Sequence, residues 1–205
     1  MRKLVTKQEA EDLLKPYKAI LAEVIRSALL DWNKLLAEAP QLTGGLRGRT
    51  RASYIHERIV YRLQAVISQH PGLRLLRVRG GLAVVVVRDQ LALKLKKLDD
   101  QLRSRNVMTG QTKLFNAQGV LEGTDVAATN ATAGYALDSL AALPVRLVVV
   151  CWNDDEKLWE VELEEQAGEA GGTILPILAE PSGGNKPRSR VHPKTSKDEQ
   201  ASDEV

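Results

Sequence analysis

The chain holds one cysteine, one phenylalanine and three histidines in 205 residues, and these scarcities remove whole classes of chemistry. A single thiol, Cys151, excludes an internal disulfide framework. His56, His70 and His192 have no metal-ligand spacing. No P-loop, dinucleotide fingerprint, His-Glu-x-x-His or Cys-x-x-Cys occurs. No apolar run reaches the length of a membrane span, and the N-terminal stretch MRKLVTKQEAEDLL is charged and amphipathic, without the apolar centre of a signal peptide. The expectation is a protein of a reducing cytoplasm with no membrane partner. A net charge of +3 is too small to imply nucleic acid by itself, so where the charges fall matters more than their sum.

What is there in strength is a β pattern over residues 73–98, LRLLRVRGGLAVVVVRDQLALKLKKL. Residues 82–87 are a continuous apolar run of strand length, rich in valine, as expected of a strand covered on both faces. Gly80-Gly81 before it reads as a two-residue hairpin turn, and Asp89-Gln90 after it as a second, weaker turn. Beyond that turn Leu91, Leu93 and Leu95 point to one face, and Ala92, Lys94 and Lys96 to the other. A central three-strand meander is expected.

Helices are expected ahead of it. Thr6-Lys7-Gln8-Glu9 has capping-box spacing, which starts a helix at Lys7 that Pro16 breaks or restarts. From there to Glu38 the apolar positions, Leu29 and Trp32 among them, form a helical stripe, closed by Glu38-Ala39-Pro40. Thr50 is placed to cap a helix over 51–69, with Ala52, Ile55, Ile59, Leu63 and Val66 as its buried stripe. Arg51, Arg58 and Arg62 flank that stripe, whereas Tyr54, Glu57 and Tyr61 project away from it. After the meander, 99–105 reads as a polar helix or turn and 106–116 as a polar loop containing Phe115. The Thr/Ala/Gly-rich stretch 119–134 matches no pattern. Residues 145–152 read as a buried strand and 158–163 as a half-exposed closing one. From 165 to 205, Gly, Pro, Ser, Lys and Glu dominate and the stretch reads as a disordered polar tail. The fold class expected is therefore α/β (α+β): one domain, 1–164, whose N-terminal helical segment, 7–38, and following helix pack on a mixed, mainly antiparallel sheet.

The order of elements from residue 50, a helix, three antiparallel strands, a short helix or loop and a buried strand, resembles the restriction-endonuclease-like core of the PD-(D/E)xK nucleases. That resemblance implies a divalent metal, Mg²⁺ or Mn²⁺, held by Glu57 and Asp89, with Lys94 or Lys96 stabilising charge on an oxygen of the scissile phosphodiester. The chain departs from the pattern at a decisive place. Ala92 stands two before Lys94, and Lys94 two before Lys96, so the acid-x-lysine signature is missing. The plain alternative is that both lysines form the solvated face of an edge strand, where lysine also blocks edge-to-edge pairing.

Basic and polar residues give a broader signal. Arg49, Arg51 and Arg58 accompany the helix, and Lys97, Arg103, Arg105 and Lys113 follow the third strand, with Gln111, Thr109, Thr112 and Asn116 as uncharged donors. Such residue types suit phosphate and base contacts, and they suit an acidic protein partner equally.

The segments RTRASYIHERIV (49–60), KKLDDQLRSRNVMTGQTKLFNAQ (96–118) and GYALD (134–138), with Trp159, resemble a small, largely uncharacterised bacterial family. Its members are encoded beside a helix-turn-helix regulator with a zinc-peptidase-like domain. The resemblance implies a toxin-like component of a toxin–antitoxin or phage-defence module, acting on nucleic acid and held by a cognate antitoxin or regulator protein. It implies no catalytic residues. The alternative is a non-enzymatic protein-interaction or DNA-binding partner of a transcriptional regulator, docking through the long N-terminal helix at Leu29 and Trp32.

Overall fold

The expected meander is present as β1 (Leu73–Val78), β2 (Leu82–Val87) and β3 (Leu91–Leu98), each antiparallel to the next. The computed structural model describes residues 3–78, 82–104, 109–120, 128–137 and 144–164, so Gly80-Gly81, Arg105 and the 165–205 tail lie outside the described residues. The second turn is displaced by one residue from expectation. Gln90 N bonds to Val87 O at 3.0 Å, which makes Arg88 and Asp89 its central pair, both at positive φ (47° and 57°).

Three further strands, β4 (Thr129–Leu137), β5 (Pro144–Asn153) and β6 (Glu156–Glu162), complete a six-stranded mixed sheet in sequence order. β3 and β4 run parallel, and every other pair is antiparallel. A parallel pair needs a crossover, and this one carries α5 (Gly110–Asn116). The expected polar loop over 106–116 is thus partly helix. Thr109 Oγ1 caps it by accepting from Thr112 N at 3.2 Å, and Phe115 is its one buried side chain.

Helices α1 (Lys7–Leu14), α2 (Lys18–Glu38), α3 (Pro40–Thr43) and α4 (Gly48–Val66) precede the sheet. The capping box at Thr6 is formed in full. Helix α4 begins earlier than Thr50 would set it, with Arg47 at the cap position and Thr50 inside the first turn. Ile55, Ile59 and Leu63 of α4 join Leu21, Ile25 and Trp32 of α2 and the inward leucines of β3 in one core. Tyr54 belongs there too, packed against Trp32 at 5.5 Å between ring centroids, and so does not project away.

The two faces of the sheet differ. Leu91, Leu93, Leu95, Ala133, Tyr135, Val149 and Cys151 point to the α1–α2–α4 side. On the opposite face, Val84, Val86, Ala92 and Phe115 form one small apolar cluster, and Leu98, Leu102, Val148 and Val150 another. Lys94 belongs to that second face, paired in register with Val84 on one side and Thr132 on the other. The reading of its strand as an edge is overturned: β3 lies third of six, because the unpatterned 119–134 stretch supplies β4. That strand, TNATAGYAL, is poor in strand formers, yet its first eight residues are buried. Small side chains permit this closeness. A Cβ at Gly134 would lie 2.2 Å from Lys96 O, so only glycine lets β4 approach β3 there.

Candidate functional site

Lys94 reaches the second face from the middle of β3 and is 4 % exposed. Its Nζ donates to Asn116 Oδ1 at 3.2 Å and lies 4.4 Å from the centroid of Phe115. Both partners come from α5, so the crossover helix is what covers the ammonium. Burial, with Lys96 next on the same face, pushes the Lys94 pKa down to about 8. Lys96 is half-buried and lowered by burial alone. No carboxylate bonds to Lys94 among the described residues, so its charge is held by an amide oxygen and a ring face alone.

A groove of about 780 Å³ opens over it. Its polar lining comes from Lys94, Asn116, Asn130 and Thr132, from Arg103, Ser104 and Lys113, and from the carboxylates of Asp154 and Asp155, with Trp152 also on the wall. The Arg103 guanidinium stacks on the Trp152 ring at 4.1 Å and is anchored to the Asp155 carboxylate and carbonyl at 2.8 Å each. Trp152 Nε1 donates to Leu102 O at 3.2 Å, which fixes the ring. Asn130 is committed to scaffolding, donating from Nδ2 to Gly119 O at 2.8 Å and Phe115 O at 3.2 Å. Asn116 gives only its oxygen to Lys94, so its Nδ2 is a donor with no partner among the described residues.

The residues expected to form a site are not all brought together. Asp89 lies in the exposed β2–β3 turn, ion-paired with Arg74. Glu57 is exposed on α4, on the opposite side of the sheet from Lys94. His56 Nδ1, at 3.1 Å from Leu95 O, sets Glu57 level with the middle of β3, four residues or roughly 13 Å from Leu91 and the turn. No group of three or more His, Cys, Asp or Glu side chains that could hold a metal occurs among the described residues. Glu57 and Asp89, so placed, do not share one Mg²⁺ or Mn²⁺ ion.

The basic residues divide likewise between the two faces. Arg49, Arg51 and Arg58 travel with α4. Asp31 on α2 takes Arg58 Nε at 2.7 Å and Arg62 Nη2 at 2.6 Å, and those bonds hold its carboxyl below the usual range. Arg51 packs over Trp32, with its guanidinium carbon 6.0 Å from the ring centroid. On the groove side stand Lys94, Arg103 and the exposed Lys113, with Gln111 half-buried nearby on α5. Lys97 is exposed on β3, with side-chain alternation placing it away from Lys94. Asn130, Thr132 and Trp152 escaped the sequence reading because only the lateral pairing of β3, β4 and β5 brings them beside Lys94.

No family model, no curated protein and no solved structure matches this chain. Among the described residues no helix is long and apolar enough to cross a membrane. Function has to rest on the groove's own chemistry.

Proposed function

We propose that the chain is the nucleic-acid-acting component of a bacterial two-gene module of the toxin–antitoxin or phage-defence kind, working in the cytoplasm by binding phosphate in the groove over Lys94. One observation carries the reading: a nearly buried ammonium faces a roomy groove with no carboxylate bonded to it among the described residues. A buried charge without a counter-ion is unfavourable, and an anionic ligand supplies the missing charge. Lys113 adds positive potential at the rim, where Arg103 is already paired with Asp155, and Asn116 Nδ2 adds a neutral donor. The order α4, β1–β2–β3, α5, β4, with β4 parallel to β3, also suits a restriction-endonuclease-like core that has kept its scaffold and strand lysine without an acid pair. The chemistry proposed is therefore binding, with no step through a metal.

The test is a fluorescence-anisotropy titration of the chain with labelled RNA, single-stranded DNA and duplex DNA, beside Lys94→Met. Binding that weakens ten- to a hundredfold in the variant is expected, since a charge-assisted bond contributes about 1.5–3 kcal/mol. The same samples run on a gel with Mg²⁺, Mn²⁺ or EDTA check for cutting. Metal-dependent cleavage abolished by Glu57→Gln with Asp89→Asn would restore the nuclease reading. Absence of binding to all three would refute the proposal.

A second reading has its own observation. Leu29 and Trp32, the docking residues expected of α2, are each 4 % exposed in the core and cannot contact a partner. Leu30, Leu36, Leu42 and Leu46 are instead 40–70 % exposed along α2, α3 and the turn before α4. A regulator protein docking on this stretch is the interaction-partner alternative.

A further inference from the structure

We infer that the groove accepts single-stranded nucleic acid, one nucleotide at a time, with a phosphate against Lys94 and Asn116 and a base stacked on the Arg103–Trp152 pair. The inference rests on the nucleic-acid reading above and adds the form of the ligand.

Depth is the first argument. Lys94 is 4 % exposed as a residue, and its Nζ lies against Asn116 and Phe115 of α5. A duplex is a stiff rod with a persistence length of about 50 nm, its phosphates spaced along its outer surface. Such a rod can rest on Arg103 and Lys113 at the rim but cannot lower one phosphate to the floor. A single strand has the torsional freedom to do so. The groove's volume of about 780 Å³ falls within the ~300–1,000 Å³ of sites that enclose small molecules and cofactors, which matches a nucleotide and not a helix.

The second argument is the wall. The Arg103 guanidinium carbon sits 4.1 Å over the Trp152 ring, and Asp155 ties its two terminal nitrogens. Both side chains line the groove, and arginine planes and aromatic rings are the groups on which splayed bases stack. A duplex keeps its bases stacked inside and has nothing to offer those groups. Phe115 cannot serve as a second platform, since it is buried and engaged with Lys94.

Tryptophan fluorescence reads the contact directly, because Trp32 and Trp159 are 4 % and 6 % exposed and Trp152 alone lines the groove. The full chain is titrated with a fifteen-nucleotide oligo(dT), oligo(rU) of the same length, the matching duplex, and thymidine monophosphate. Anisotropy is followed in parallel for the labelled oligonucleotides. The expected result is single-strand binding at least about tenfold tighter than duplex binding, with quenching that disappears in Trp152→Leu. Arg103→Ala and Lys94→Met should each weaken the single strand about tenfold, with an unchanged circular-dichroism spectrum. Equal or tighter duplex binding overturns the inference and leaves the nucleic-acid reading standing. Single-strand binding that neither variant weakens overturns the inference and, with it, the placement of phosphate over Lys94. Failure of every nucleic acid to bind overturns both.

Discussion

The side-chain amide of Gln118 stands in for a peptide group beside Asn130. Its Oε1 accepts from Asn130 N at 2.8 Å, and its Nε2 donates to Asn130 O at 2.8 Å and to Trp152 O at 2.7 Å. The β4–β5 ladder starts only at the Thr132–Val150 pair, so this one side chain joins the strands where they diverge beside the groove. Gln118→Ala leaves three backbone groups without their partner, at about 1–3 kcal/mol for each that stays buried and unsatisfied. We expect a loss of about 3 kcal/mol in urea unfolding, and Gln118→Glu should do worse near neutral pH because a carboxylate would face two carbonyl oxygens.

Lys94 should act on stability in the opposite sense from its role in binding. Its pKa is lowered from 10.5 to about 8, so between those pH values the unfolded chain binds the proton that the folded chain has released. Stability therefore rises with pH across that window, and the cost of the buried charge is fully present below it. At 1.36 kcal/mol per unit the cost is about 3 kcal/mol at pH 7, reduced in a variant by the lost Asn116 bond. Lys94→Met should melt above the wild type at pH 7 and close to it near pH 10. Phosphate-dependent affinity should fall as pH rises through about 8, measured at constant salt. A wild-type chain that melts above Lys94→Met at pH 7 would contradict the uncompensated-charge account.

Cys151 offers a probe of opening. It is fully buried on β5, and burial pushes its thiol up to about 12, which removes both access and thiolate. A disulfide reagent at pH 8 should label the native chain only at its rate of unfolding, and rapidly in denaturant. Fast labelling of the folded protein would show that β5 opens locally.

Gly134→Ala places a methyl carbon 2.2 Å from Lys96 O and 2.9 Å from Leu98 Cγ. The contact is with backbone on a parallel neighbour, so β4 must move away from β3. A cost of about 3 kcal/mol or more is expected, seen as lost cooperativity in thermal unfolding or failure to accumulate as folded protein.

Asp31 binds α2 to α4 through Arg58 and Arg62. Asp31→Asn should cost about 1–2 kcal/mol, since the pair is partly solvated. Nucleic-acid affinity should hardly change, because those arginines lie across the sheet from the groove. A marked tightening would move the interface to the α4 face.

The helices and the meander were legible from residue order because their signals are local. Thr6 and Glu9 cap a helix three residues apart, and the side chains from Leu91 to Lys96 alternate within one strand. Helix α5 was hidden by its brevity and by its single buried anchor, Phe115. Strand β4 was hidden because alanine, threonine and glycine carry no period, and what makes them a strand is Lys96 O and Val148 on either side of Gly134.

By itself, the sequence determined the absence of a disulfide framework, the α/β class, the two faces of β3 and the lack of an acid-x-lysine pair. Only the tertiary structure decided that Lys94 is interior, that the arginines of α4 and the lysines of the groove stand on opposite faces, and that Arg103 lies on Trp152. Helix caps and strand alternation are set by neighbours along the chain. The burial of a charge is set by what lies beside and above it, and for Lys94 the crossover that brings Thr132 alongside also lays Asn116 and Phe115 of α5 over the ammonium.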